Sequence, residues 1–153
     1  MQDQKYTLDT VILPYPRVTL GKNTHIYNND EEVALKIGQM RDTTFENFSL
    51  LADDLLKFLE QEARKDSDDT MVIEQPILAT GEILLHRVEL LIDAGHKNIA
   101  AISIVAAPQG VDLLQMLHPE VSLYIASFEE GLNRHGDIMP GLGKNGNRLF
   151  GSR

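Results

Sequence analysis

Cysteine and tryptophan are absent from this chain, aromatic residues make up 6%, and basic side chains are few. Without cysteine there is no disulfide, no thiol nucleophile and no thiolate-bound zinc. Fourteen Lys and Arg stand against 23 Asp and Glu, giving a formal net charge of −9 and a pI near 4.9. Nonspecific nucleic-acid binding needs clustered Lys and Arg, so no nucleic-acid partner is expected. An anionic membrane surface is disfavoured on the same ground. No apolar run approaches the length of a membrane span. The opening MQDQKYTLDTVIL has no basic stretch followed by a long apolar one, so a signal peptide is not expected and the chain reads as cytoplasmic.

What is present suits one domain over residues 1–153, with 42% apolar content for a core. Residues 10–13 and 17–20 are strand-like around Pro14 and Pro16. Asp30 is placed to cap a helix through EEVALKIGQM, and Thr43 or Thr44 a second through FENFSLLADDLLKFLEQEARK. In that second helix Phe45, Phe48, Leu51, Leu55, Phe58 and Leu59 recur at helical spacing, the mark of a core or dimer-interface stripe. Asp53 and Asp54 fall on its solvated side. Residues 65–70, KDSDDT, form a polar loop, and its Asp66, Asp68 and Asp69 are a weak cation candidate. A short strand follows at 71–74, then the loop PILATGE and a helix over 83–93 closed by Gly95. The run IAAISIVAA is continuous enough to be a strand covered on both faces. A helix at 109–117 and a strand at 121–127 complete a β-loop-α-β-α-β order, which predicts a parallel sheet with right-handed crossovers. The end of the chain, carrying Gly141, Gly143, Gly146 and Gly151, reads as a loop-rich tail.

Four blocks carry possible chemistry: PILATGEI (76–83), VAAPQGVDLL (105–114), ASFEEGLNRHG (126–136) and PGLGKNGNRLFG (140–151). The first is a strand-loop-helix turn with a small-residue tip, a geometry able to cradle a phosphate on backbone amides. The five histidines, His25, His86, His96, His118 and His135, show no metal-ligand spacing and read as surface or structural residues, with His135 near the pocket formed by the last blocks.

In order and spacing these blocks resemble the uracil phosphoribosyltransferase family, and Met40-Arg41-Asp42, Phe48 and Glu62-Ala63 fall in matching order with its N-terminal helices. The resemblance implies an α/β fold of phosphoribosyltransferase type, a Rossmann-like parallel sheet flanked by helices. It divides the domain into an N-terminal arm and helices (1–64) and a phosphate-loop and uracil-site region (71–153). It implies the reaction of uracil with PRPP to give UMP and diphosphate in pyrimidine salvage, Mg²⁺ carried on the diphosphate, and a homo-oligomer. Carried over by position, Gln75, Pro76, Ile77, Leu78, Ala79, Thr80, Gly81, Glu82 and Ile83, with Lys144, would meet PRPP. Ile138, Gly143, Lys144 and Asn145 would meet uracil.

Departures from the family pattern are equally informative. The family loop reads DPMLATGGS or DPMLATGGT; here Gln75 replaces the Asp, Glu82 the second Gly and Ile83 the hydroxyl residue. In the tail, family pattern Y-I-x-P-G-L-G-D-x-G-D, Asp137 replaces the Tyr and Lys144 and Asn147 the two Asp residues. A central segment with two early strands and the arginines for the pyrophosphate is missing, since KDSDDT joins the two regions directly; the sheet should be reduced in strand number. Arg134, Arg148 and Lys144 are the cations available to substitute. Because the reaction depends on positioned charge around a leaving diphosphate, these changes predict weak or lost catalysis. Three functions follow: a salvage enzyme, a noncatalytic regulator binding uracil or UMP, or a structural partner of a full-length relative through the helix at 45–59.

Overall fold

The computed structural model describes residues 8–151; the first seven residues of the expected N-terminal arm and the last two of the tail lie outside it. Its centre is β4 (Ile99–Ala106), with all eight residues buried. Parallel strands lie beside it: β5 (Ser122–Phe128) on one side, then β1 (Thr24–Ile26), and β2 (Met71–Glu74) on the other. A two-residue strand β3 (Ile77–Leu78) continues the β2 edge along the far end of β4. The sheet is short in strands, as expected.

Side chains alternate across β4 because successive Cβ atoms point to opposite faces. Ala100 and Ile102 meet α1 (Glu31–Met40) and α2 (Phe45–Ala63). Ile99 and Ala101 meet α3 (Glu82–Asp93) and α4 (Pro108–Leu117). This is a three-layer α/β arrangement. Both N-terminal helices are capped as the sequence indicates: the Asp30 carboxylate accepts from the Val33 amide at 3.0 Å, and the Thr44 hydroxyl from the Asn47 amide at 3.4 Å. Of the α2 stripe, Phe48, Leu55 and Leu59 are fully enclosed and Phe45, Leu51 and Phe58 half-buried, so this stripe is core. Asp53 and Asp54 are exposed.

Two expectations need correction. Residues 10–13 and 17–20 are not strands: Leu8–Thr10 is a 3-10 turn and residues 11–20 join no ladder. Pro14 and Pro16 lack the amide donors a ladder requires. The segment is held by scattered bonds instead. The Leu13 amide donates to the Leu132 carbonyl (2.8 Å), Tyr15 Oη to Asp112 Oδ2 (2.7 Å) and Gln115 Nε2 to the Thr19 carbonyl (3.1 Å). The strand that does form on that side is β1, three residues that carry no clear alternation.

The tail is not loop-rich either. Strands β6 (Gly131–Leu132) and β7 (Ile138–Met139) pair antiparallel, and α5 (Gly143–Phe150) follows. Glycine has poor helix propensity, which hid this helix in the sequence. It is held by packing: Leu149 and Phe150 lie on the core, with the Phe150 ring 6.3 Å from Phe48. A Cβ at Gly146 would stand 2.7 Å from Leu142 Cβ, so only glycine fits that turn.

Among the described residues no strand pairs with the outer edge of β2, and both its ends are occupied. Arg64 Nη1 donates to the Thr70 carbonyl at 2.8 Å, and Arg87 Nη1 to the Glu74 carbonyl at 2.6 Å. No helix among the described residues is long and apolar enough to cross a membrane.

Candidate functional site

Two neighbouring depressions open where β3 and β4 end, the side of a parallel sheet on which ligands ordinarily bind. The first lies in the loop between β3 and α3. Gly81 caps α3 with φ +93°, a left-handed conformation that suits glycine. Its missing side chain also permits close packing: a Cβ there would be 3.0 Å from Gly110 Cα, and one at Gly110 would be 2.7 Å from the Ala79 carbonyl. Gly110, in the VAAPQG block, therefore fixes the loop from α4. The first amides of α3 have no acceptor inside the helix, and the depression of 40 Å³ beside them has room for a few waters.

The sequence-named residues distribute unevenly around it. Gln75, Ile77, Leu78, Ala79, Thr80, Gly81 and Ile83 line it, while Pro76 and Glu82 do not. Pro76 gives its carbonyl to the amides of Ile104 (2.9 Å) and Val105 (3.1 Å). Glu82 is the exposed first residue of α3, in ordinary helical backbone, so the position does not demand glycine. Its carboxylate favours the helix N-terminus and repels an anion approaching that same end. Gln75 is engaged: its Nε2 donates to the Ile77 carbonyl at 3.3 Å, and Arg87 Nη1 donates to its Oε1 at 3.1 Å. No Lys or Arg among the described residues lines this depression.

The second depression, 590 Å³, is bounded by Ile77 and Val105 at the strand ends, by the tail from Asp137 to Lys144, and by Asp9 and Thr10 of the arm. Ile138, Gly143 and Lys144, the residues that the resemblance assigns to uracil, line this depression. Lys144 stands here and not in the loop depression. The Asn145 side chain points elsewhere, Nδ2 donating to the Thr43 carbonyl at 2.9 Å. Of the other cations, Arg148 lies 3.8 Å above the Phe45 ring and Arg134 pairs with Asp9 at 3.5 Å. His135 is not itself in the wall, but its neighbours Gly136 and Asp137 are, and its Nε2 is 2.7 Å from Asp9 Oδ1. That hydrogen bond, with the charges of His135 and Arg134, holds the exposed Asp9 carboxyl below its ordinary value. Asn133 shapes the turn between β6 and β7: its Oδ1 accepts from the amides of His135 and Asp137, and its Nδ2 donates to the Asp9 carbonyl.

A buried charge underlies the tail. Glu129, just past β5 and 7% exposed, accepts from the Gly141 amide (3.0 Å) and from Arg41 at Oε1, and from Ser127 Oγ (2.6 Å) at Oε2. Arg41 Nε donates to the Gly141 carbonyl at 2.9 Å. Gly141 has φ +66° and follows the cis Met139–Pro140 bond. Sequence reasoning passed over Glu129, Gly110, Arg87 and Asn133, and gave Arg41 no role. The one available signal was an acid set between an apolar strand and a glycine-rich turn, a place where a carboxylate stays only if paired.

No group of three or more His, Asp or Glu among the described residues is placed to hold a metal ion. Glu82 is a lone exposed carboxylate at the head of α3, and the Gln75 side chain is already hydrogen-bonded to Ile77 and Arg87. The ion expected from the resemblance would arrive on the diphosphate of PRPP.

Comparison with known proteins bears on the same blocks. A family model described as uracil phosphoribosyltransferase matches residues 35–152. The uracil phosphoribosyltransferase of a Thermoanaerobacter species is 42% identical over 83 residues, 54% of this chain and 40% of that protein. That of Acinetobacter baylyi is 49% identical over 82 residues, 54% of this chain and 38% of that protein. The aligned segments span about two fifths of these relatives. In fold, the AQ2163 protein from Aquifex aeolicus is similar with a TM-score of 0.72 at 18% identity, covering 82% of this chain and 98% of that one. With the loop, the tail and their order all accounted for, this chain belongs to the uracil phosphoribosyltransferase family.

Proposed function

We propose that this protein binds uracil or UMP in the tail pocket and transfers the ribose phosphate of PRPP weakly or not at all. It acts as a noncatalytic binder or regulator in pyrimidine salvage. The observation that carries this is the contrast between the two depressions. The tail pocket keeps its glycine backbone and a volume of 590 Å³. The loop depression has no basic lining residue, and Glu82 stands at the head of α3.

Transfer breaks the bond from the ribose carbon to the diphosphate and forms one to the uracil nitrogen, passing through an oxocarbenium-like sugar. Positioned positive charge on the departing diphosphate supplies most of the rate in such chemistry. Lys144, across in the tail pocket, is the one cation of the sequence-named set facing this region. Glu82, being exposed, costs a phosphate dianion about 1–2 kcal/mol at water-like screening. A phosphate is weakened there, not banished.

Incubation with uracil, PRPP and Mg²⁺ tests the reading, with UMP followed by chromatography and uracil and UMP titrated by calorimetry. Binding heat with little or no product is expected. Turnover near 1 s⁻¹, roughly the low end of ordinary enzymes, would overturn the loss of catalysis. Absence of heat and of any thermal shift at millimolar ligand would overturn the pocket. Self-association belongs to the same proposal and is read by sedimentation velocity. The Phe-rich stripe of α2 lies in the chain's own core, so such a contact uses other surfaces.

A further inference from the structure

We propose that Arg41 and Glu129 form a positioning pair that sets the backbone of the pyrimidine pocket from the N-terminal helices. The inference rests on the pocket reading above and names the residues that control it. The peptide groups of Gly141 are gripped from both sides, the amide by Glu129 and the carbonyl by Arg41. The two gripping side chains are themselves paired, and Ser127 takes the remaining carboxylate oxygen. Gly141 leads directly into Leu142, Gly143 and Lys144, all in the pocket wall. A second tie runs from the same corner, Asn145 Nδ2 to the Thr43 carbonyl, and holds the first turn of α5.

A flat heterocycle read by backbone groups depends on where those groups stand. Here their placement is delegated to a charge pair that is not part of the pocket wall. Glu129 is buried and pairs with Arg41, so removing Arg41 takes away the guanidinium that faces a buried carboxylate. Arginine suits this task because its planar fork serves a carbonyl and a carboxylate together, which a lysine ammonium on a flexible stem does not reproduce.

The experiment uses the full chain with Arg41→Met, Arg41→Lys and Glu129→Gln, and Arg64→Met as a control that loses an arginine remote from the pocket. Two quantities are read well below the melting temperature of each variant: uracil affinity by calorimetry and exchange of the Gly141 amide by NMR. Arg41→Met is expected to weaken uracil binding about tenfold or more and to speed Gly141 exchange by about tenfold or more. Arg41→Lys should fail to restore either quantity. Glu129→Gln should fall between, since a carboxamide oxygen still accepts from the Gly141 amide. Arg64→Met should leave both unchanged even where its melting temperature drops. The exchange measurement needs no ligand, so wild-type protein that takes up no uracil sinks the pocket reading alone. Gly141 exchanging at the wild-type rate in Arg41→Met overturns the pair. Faster exchange with unchanged uracil affinity overturns its link to recognition.

Discussion

Gly141 shows how far one residue can constrain this site. A Cβ there would lie 2.3 Å from the Ile138 carbonyl oxygen, at φ +66°. Gly141→Ala is therefore expected to destabilise the fold by about 2 kcal/mol or more, seen as a lower urea midpoint with an unchanged slope. Glu82 behaves in the opposite way. Its backbone is helical and its side chain exposed, so Glu82→Gly should cost less than about 1 kcal/mol of stability. It should tighten UMP about tenfold by removing the repulsion, as calorimetry would show. The Asp9 contact with His135 has a definite pH sense. Its carboxyl is held below the ordinary 3.8, so on the acid side the contact is in place above that pH, while His135 is protonated, and is lost as acid protonates Asp9 below it. A carboxyl carbon NMR titration checks this; a midpoint at or above 3.8 would contradict the contact. At this scale the sequence was half legible. Thr80 and Gly81 were readable because a small-residue turn after a strand has few uses. Glu129 was not, because its role depends on Arg41, far away along the chain.

Elements differ in how plainly they announced themselves. Both N-terminal helices were readable because each joins a capping residue to an apolar stripe of period 3.6, and β4 because eight enclosed residues leave an apolar run interrupted by Ser103 alone. The stripe of α2 carries the core beneath β4, and Leu59 is fully enclosed there. Leu59→Ala should cost about 3 kcal/mol, measured by chemical denaturation; a loss under about 1 kcal/mol would mean that α2 is loosely packed. The elements that escaped were those whose stability comes from neighbours. β1 is three residues long and exists through its ladder with β5. α5 holds four residues of poor helix propensity and exists through Leu149 and Phe150. In residues 10–20 apolar content suggested strands, and the prolines decided otherwise.

The molecule as a whole pairs a three-layer core with a loop depression that no Lys or Arg among the described residues lines. The strand-helix alternation made the parallel topology readable, and the abrupt passage from α2 to β2 through residues 65–70 made the shortened sheet readable too. Restoring the family residues in loop and tail does not supply the central arginines that the resemblance leads one to expect. The combined variant Gln75→Asp, Glu82→Gly, Lys144→Asp is thus expected to bind UMP and still form it at under about 0.01 s⁻¹, far below ordinary enzymes. A rate near that of an ordinary enzyme would place the defect in these loop and tail positions and not in the missing central arginines.

A sheet cut back to a bare strand ordinarily recruits whatever β-structure drifts past. Along the outward side of β2, the backbone groups of alternate residues have no strand partner among the described residues. Arg64 and Arg87 have claimed the carbonyls at either end, and Pro76 has no amide to offer. The stretch between them is too brief to template a neighbour, so two guanidinium groups act as stoppers on a seam the shortened chain would otherwise leave adhesive. Removing both should turn a dispersed solution turbid on warming, and static light scattering would register the change before any loss of helical signal.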